Sequence, residues 1–183
     1  MKSRAGFTLA ELLIALALMG IVTFIAINQI LKMLPNMRLR AAVRELYGQM
    51  QNTKMKAIKN NCDWAIVFDP ENKRYLVCSS KGPDGSWSTT ADNTIATPIY
   101  LSAHGNGIRF GHGLIDGPHS VSHSLFPAEE VSYLHKVLVF NPMGTSSSGY
   151  VYLENEEYRQ TYAVGTLASG SIRILSWTGS TWR

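Results

Sequence analysis

The chain has 183 residues, a formal net charge of +4 and 45% hydrophobic residues. That length suits one domain with an attached anchor rather than several domains. The positive excess is too weak for an electrostatic nucleic-acid footprint, even at a sequence pI near 9.1.

In chain order, Lys2 and Arg4 precede Gly6-Phe7-Thr8-Leu9-Ala10-Glu11, and the run from Leu12 to Ile27 carries no charge. A secretory signal peptide places its cleavage site behind the apolar run, next to small residues. Here the candidate processing point lies ahead of the run, so the apolar segment stays on the mature chain. A carboxylate just inside an apolar helix is costly without a partner. A helix amino terminus and an α-ammonium both favour one there. The basic leader, Gly6, Phe7 and Glu11 together resemble a type IV prepilin. The resemblance implies that a prepilin peptidase removes residues 1–6, that Phe7 becomes the N-methylated terminus, and that Glu11 serves filament assembly. In that role the Glu11 carboxylate pairs with the α-ammonium of a neighbouring Phe7. Losing Lys2 and Arg4 leaves a side-chain charge of 4 − 2 = +2.

Residues 7–34 form the expected transmembrane or filament-core helix, about 42 Å long against a hydrocarbon core of about 30 Å. The charges ahead of it place the amino terminus in the cytoplasm and everything after it outside. A plain single-span anchor is the alternative, and Glu11 counts against it. Residues 35–60 continue the helix in amphipathic form, with Pro35 and Gly20 as its soft points. Leu39, Val43, Leu46, Met50 and Ala57 recur at helical spacing, with Thr53 filling one position, and this stripe is expected to pack on a sheet. Arg38, Arg40, Arg44, Gln51, Lys54 and Lys56 lie mostly off the stripe. For the basic ones a solvated face is the expectation, with anionic lipid headgroups the alternative. Asn60 and Asn61 suit a C-cap.

From residue 61 to 183 the pattern changes to short β-rich runs divided by turn residues. Expected strands are Trp64 to Asp69, Arg74 to Ser79, Thr94 to Ser102 with Pro98 on an edge, Gly107 to Phe110, Lys136 to Phe140, Tyr150 to Glu154, Arg159 to Val164 and Ser171 to Trp177. Residues 111–133 show no period and read as a long loop or irregular crossing. Cys62 and Cys78 are placed on neighbouring strands, where pairing and burial as free thiols both stay open.

The Phe140-Asn141-Pro142-Met143-Gly144 turn, the Gly149-Tyr150-Val151-Tyr152-Leu153 strand, the Gly170-Ser171-Ile172-Arg173 strand, and Trp177 and Trp182 resemble the GspH/FimT family of minor pilins and type II secretion minor pseudopilins. The resemblance implies an α+β fold, a long amino-terminal helix packed on a small antiparallel two-sheet β domain. It implies a structural subunit rather than an enzyme, held in the inner membrane by a single pass with its β domain periplasmic. Other pilins or pseudopilins and an inner-membrane assembly platform are the implied partners, with the bilayer as host before assembly into a filament.

No cofactor is expected. His119 and His123 have a spacing seen among metal ligands but lack a supporting helix or carboxylate cluster, so no metal is expected either. Ser146-Ser147-Ser148-Gly149 is not a nucleophile elbow. The functional rival is a DNA-binding minor pilin of a competence pilus. Some family members carry Gly-Arg-x-Arg near the carboxyl end, where this chain has Gly170-Ser171-Ile172-Arg173. Arg173 and Arg183 remain as candidate nucleic-acid contacts, with Trp177 and Trp182 able to stack. A β core closed by aromatic residues is the better account, and nucleic acid is not an expected partner.

Overall fold

The computed structural model describes residues 8–112, 120–121, 129–155 and 158–183. The chain divides into two compact units, Met1–Pro35 and Asn36–Arg183. One helix, α1 (Leu9–Asn60), contributes residues to both, with Gly20 and Pro35 inside its bounds.

In the first unit α1 is apolar on every side. Leu12, Ile14, Val22 and Phe24 are 57%, 61%, 66% and 72% exposed. Among the described residues α1 is the one helix long and apolar enough to cross a membrane, with a mean hydropathy of 2.5 over its apolar stretch.

In the second unit the stripe expected from spacing is buried. Leu39, Leu46, Met50 and Ala57 are fully enclosed, and Ala42, Val43 and Thr53 nearly so. Leu39, Val43, Leu46 and Met50 each contribute about 1.5–3 kcal/mol of burial free energy as an upper figure. Thr53 avoids an unmet hydroxyl by donating to Gln49 O at 2.7 Å. The helix ends as a Schellman cap. Asn61 takes a left-handed φ of 51°. Its N–H reaches Ile58 O, and Cys62 N–H reaches Ala57 O.

Among the described residues eight strands follow: β1 (Trp64–Asp69), β2 (Arg74–Ser80), β3 (Thr94–Tyr100), β4 (Ile108–Phe110), β5 (Val137–Phe140), β6 (Gly149–Asn155), β7 (Tyr158–Thr166) and β8 (Ile172–Ser176). They form two antiparallel four-stranded sheets, ordered β3-β2-β1-β5 and β4-β6-β7-β8. The α+β, two-sheet architecture is the one the family resemblance implied. Strand alternation divides the apolar side chains between two faces. Ile66, Phe68, Tyr75 and Val77 join the helix stripe and Val151, Leu153 and Val164 in the central core. Ala65, Val67, Leu76 and Cys78 face the other way and are closed over by Trp87. Tyr150, Tyr152 and Ala163 form a third cluster with Leu175 and Trp182.

Several expectations need correction. The third strand stops at Tyr100, because residues Leu101–His104 turn into a 3-10 helix closed by Gly105 N–H on Ser102 O. The fifth begins at Val137, because Lys136 takes a left-handed φ of 58° that no strand tolerates. Cys62 lies in the helix cap rather than on a strand. It is exposed, Cys78 is buried, and both thiols are free. Burial pushes the Cys78 thiol up to about 11. Of the expected loop 111–133, residues 113–119 and 122–128 lie outside the described residues.

Candidate functional site

Gly6 and Phe7 lie outside the described residues, so the site is built from the turn that follows them. The Thr8 backbone N–H and hydroxyl both donate to Glu11 Oε2 at 3.0 Å, and Glu11 N–H donates to Thr8 Oγ1 at 3.2 Å. Leu12 N–H reaches Thr8 O, the first bond of the helix ladder. Thr8 is therefore the N-cap and Glu11 the N3 residue of a capping box. The Thr-x-x-Glu spacing is legible in sequence, yet reading Glu11 only as a charge at a helix end overlooked Thr8. The box gives the carboxylate hydrogen-bond donors from its own chain, lowering the cost of carrying it at the edge of an apolar helix.

The two motifs of the β domain meet each other. Asn141 Oδ1 accepts from Met143 and Thr145 N–H, and Gly144 N–H returns to Asn141 O, which closes the Asn-Pro-Met-Gly turn. Gly144 and Gly170 have φ of 80° and 75°. A Cβ on Gly170 would stand 1.9 Å from Gly144 O, so the turns touch through backbone that only glycine permits. Lys54 of α1 donates to Gly170 O at 2.9 Å. These residues lock the last turns of the helix to both sheets and leave Met143 89% exposed at the apex.

Arg173 is exposed on β8, opposite Gly165. Arg183 exchanges backbone hydrogen bonds with Ser176, so the carboxyl-terminal segment folds back as a short hairpin. Three strand positions, about 10 Å, separate the two arginines along β8. Trp177 and Trp182 meet edge to face at 5.4 Å, and Trp182 lies against Tyr152 at 5.7 Å. Trp182 closes the third cluster.

His104 Nε2 lies 2.5 Å from Glu45 Oε2 and ties the 3-10 turn to α1. His119 and His123 lie outside the described residues. Among the described residues no group of three His, Cys, Asp or Glu side chains is placed to hold a metal. The groups with strongly raised pKa are the buried Cys78 thiol and the Tyr75 and Tyr133 phenols, all shifted chiefly by burial. Cys78 and Tyr75 alternate to opposite faces of β2, in different clusters.

Residues 1–27 match the family described as the prokaryotic N-terminal methylation motif. No curated protein sequence matches the chain. Among solved structures, the minor pseudopilin EpsH from the type 2 secretion system of Vibrio cholerae aligns at 15% identity with a TM-score of 0.50, covering 76% of this chain and 97% of EpsH. A second structure of EpsH from Vibrio cholerae aligns at 15% identity and a TM-score of 0.44, covering 75% and 92%. A methylation motif of the type IV pilin kind thus stands at the head of a chain with the fold of a minor pseudopilin.

Proposed function

We propose that this protein is a minor pilin or pseudopilin subunit of the GspH/FimT type, a structural component of a type IV pilus or type II secretion pseudopilus. The observation that carries this reading is the joining of a methylation motif over residues 1–27 to a minor-pseudopilin fold. A prepilin peptidase cuts between Gly6 and Phe7 and the new terminus is methylated. Residues 7–34 hold the subunit in the inner membrane, with residues 35–60 and the β domain 61–183 on the periplasmic side. On assembly the span exchanges lipid contacts for apolar contacts with neighbouring subunits, so the net cost of leaving the bilayer is modest. Glu11 then shares its carboxylate with the α-ammonium of an adjacent subunit, in a site nearly free of water. An inner-membrane platform drives the transfer, and the β domain supplies the contacts that place the subunit among other pilins.

The test is the mature protein's mass. Protein extracted from a host that has the peptidase should begin at N-methyl-Phe7; a chain still starting at Met1 would refute the processing. Glu11→Ala should insert and fold normally yet fail to join or prime filaments, and unimpaired assembly would return the segment to a plain anchor.

A further inference from the structure

After leader removal no Lys or Arg precedes the span, whereas Lys32, Arg38, Arg40 and Arg44 follow it within a short stretch. In the proposed orientation this runs against the usual bias, in which basic residues stay on the cytoplasmic side. The charges therefore need another physical partner. Within the Asn36–Arg183 unit, Arg38, Arg40 and Arg44 are all exposed. Arg38 lies along Gly105 of the loop behind β3, about 3.0 Å from where a Cβ on that glycine would stand. Arg40 Nε donates to Tyr162 OH of β7 at 2.8 Å. Tyr162 stands opposite Ser176, which carries the carboxyl-terminal hairpin with Trp177, Trp182 and Arg183. The end of the domain at Asn36 thus carries three exposed helix arginines, one of them bonded to β7, while Trp182 packs with Tyr152 on the other face of that sheet.

The arrangement of the arginines decides between partners. At 3.6 residues per turn Arg38 and Arg40 point about 200° apart, with Arg44 about 40° beyond Arg40, all within about 9 Å of rise. They form a collar around the helix rather than a stripe along it. A collar is complementary to a plane crossed by the helix, whereas a neighbouring helix or a nucleic-acid rod meets one stripe. The structure therefore leads us to infer that this end of the domain is a binding site for anionic phospholipid headgroups, seating the β domain on the bilayer surface before assembly. This rests on the membrane-anchored reading above. Guanidinium on phosphate suits such a surface. Glu45 at this end is engaged with His104.

The test uses the full chain in nanodiscs of phosphatidylcholine alone or with about a third phosphatidylglycerol, an anionic fraction that makes each nearby arginine worth about fivefold in the docked population. A donor dye goes on the exposed Cys62, Cys78 being buried, and an acceptor dye on the lipid headgroups. Energy transfer should be higher in the anionic discs and the excess should collapse at about 0.5 M salt. The excess should vanish in the triple variant Arg38→Gln, Arg40→Gln, Arg44→Gln and persist when the same three become Lys. Should the triple Gln variant melt early, Arg44→Gln alone should still show the roughly fivefold loss expected of one arginine. Equal transfer in the two lipids, or an excess that survives in the Gln variants, would overturn the site. So would salt-sensitive binding of a short DNA duplex lost in the same variants without any lipid effect. No peptidase or partner pilin enters the measurement, so its failure leaves the filament reading standing, and failed processing leaves this result standing.

Discussion

Two stretches of one helix differ in what covers them. Between Leu9 and Leu31 the large apolar side chains stand more than half exposed, Leu13 at 56% and Ile14 at 61%. Between Leu39 and Ala57 the residues of the apolar stripe are sealed, Leu39 and Leu46 to 0%, while Met55 off the stripe stays 62% exposed. Composition already separates the two, with one charged residue in the first stretch and five in the second, and the distribution of the apolar residues decides what each can bury. An apolar residue on every face cannot be satisfied by a sheet on one side, whereas a stripe can. The first stretch is built for a cover that the chain does not supply, lipid or other subunits, and the second for a cover that it does.

The comparison breaks most sharply at Leu46. Leu46→Ala should lower the unfolding free energy of the β domain by about 2–5 kcal/mol, followed by tryptophan fluorescence in urea. Leu16→Ala in the exposed stretch should change it by no more than about 0.5 kcal/mol. A comparable loss at Leu16 would mean that the first stretch is also packed against the domain. Next comes the contact that locks the far end of the helix. Gly170→Ala forces a Cβ onto Gly144 O at a positive φ and should cost about 1–3 kcal/mol. Gly48→Ala meets nothing within 4 Å and should add about 0.5–1 kcal/mol in the same assay.

A smaller effect sharpens the burial argument through pH. Cys78, beneath Trp87, keeps its proton to about 11 in the folded chain against an ordinary 9.0. The folded state thus holds the proton more tightly. The stabilisation is complete below about pH 9 and is lost as pH rises through 9 towards 11. Cys78→Ala should flatten the pH dependence of stability in that window. Tyr75 and Tyr133, also raised by burial, add their own alkaline slope in both proteins. A thiol reagent should count one reactive group in the native chain and two after unfolding, and two at once would contradict the buried Cys78. The most local effect belongs to the capping box. Thr8→Ala should cost about 1 kcal/mol, seen as faster amide exchange in the first turn of α1 with the melting of the β domain unchanged.

Much of this was legible because it is local and periodic. Leu39, Val43, Leu46 and Met50 announce a buried stripe by spacing alone, and Trp64 to Asp69 was placed to the residue by its β-branched and aromatic run between turn signals. Asn61 as the cap follows from its tolerance of left-handed backbone. Misreadings arose at the joints between elements and at side chains whose cover comes from elsewhere in the chain. Lys136 belongs by composition to the strand after it, yet the turn with His135 holds it left-handed. Cys62 follows Asn61 closely enough to be consumed by the Schellman cap. Trp87, flanked by serines in a loop, gives no sign that it covers the outer face of the first sheet. Thr8 was readable but overshadowed by the charge on Glu11.

The sequence by itself determined the apolar span, the methylation motif and the positions of nearly every strand, because hydropathy, charge and turn chemistry act between near neighbours. Only the tertiary structure decided how the strands sort into sheets. β5 joins β1 across some seventy residues and β4 joins β6 rather than β5. Such pairings are chosen by which faces bury together around the helix, a property of the whole core that no local pattern encodes. The same holds for the arginines of α1. Spacing alone could call them a solvated face, and the bond from Arg40 to Tyr162 of β7 exists only once the sheets have closed on the helix.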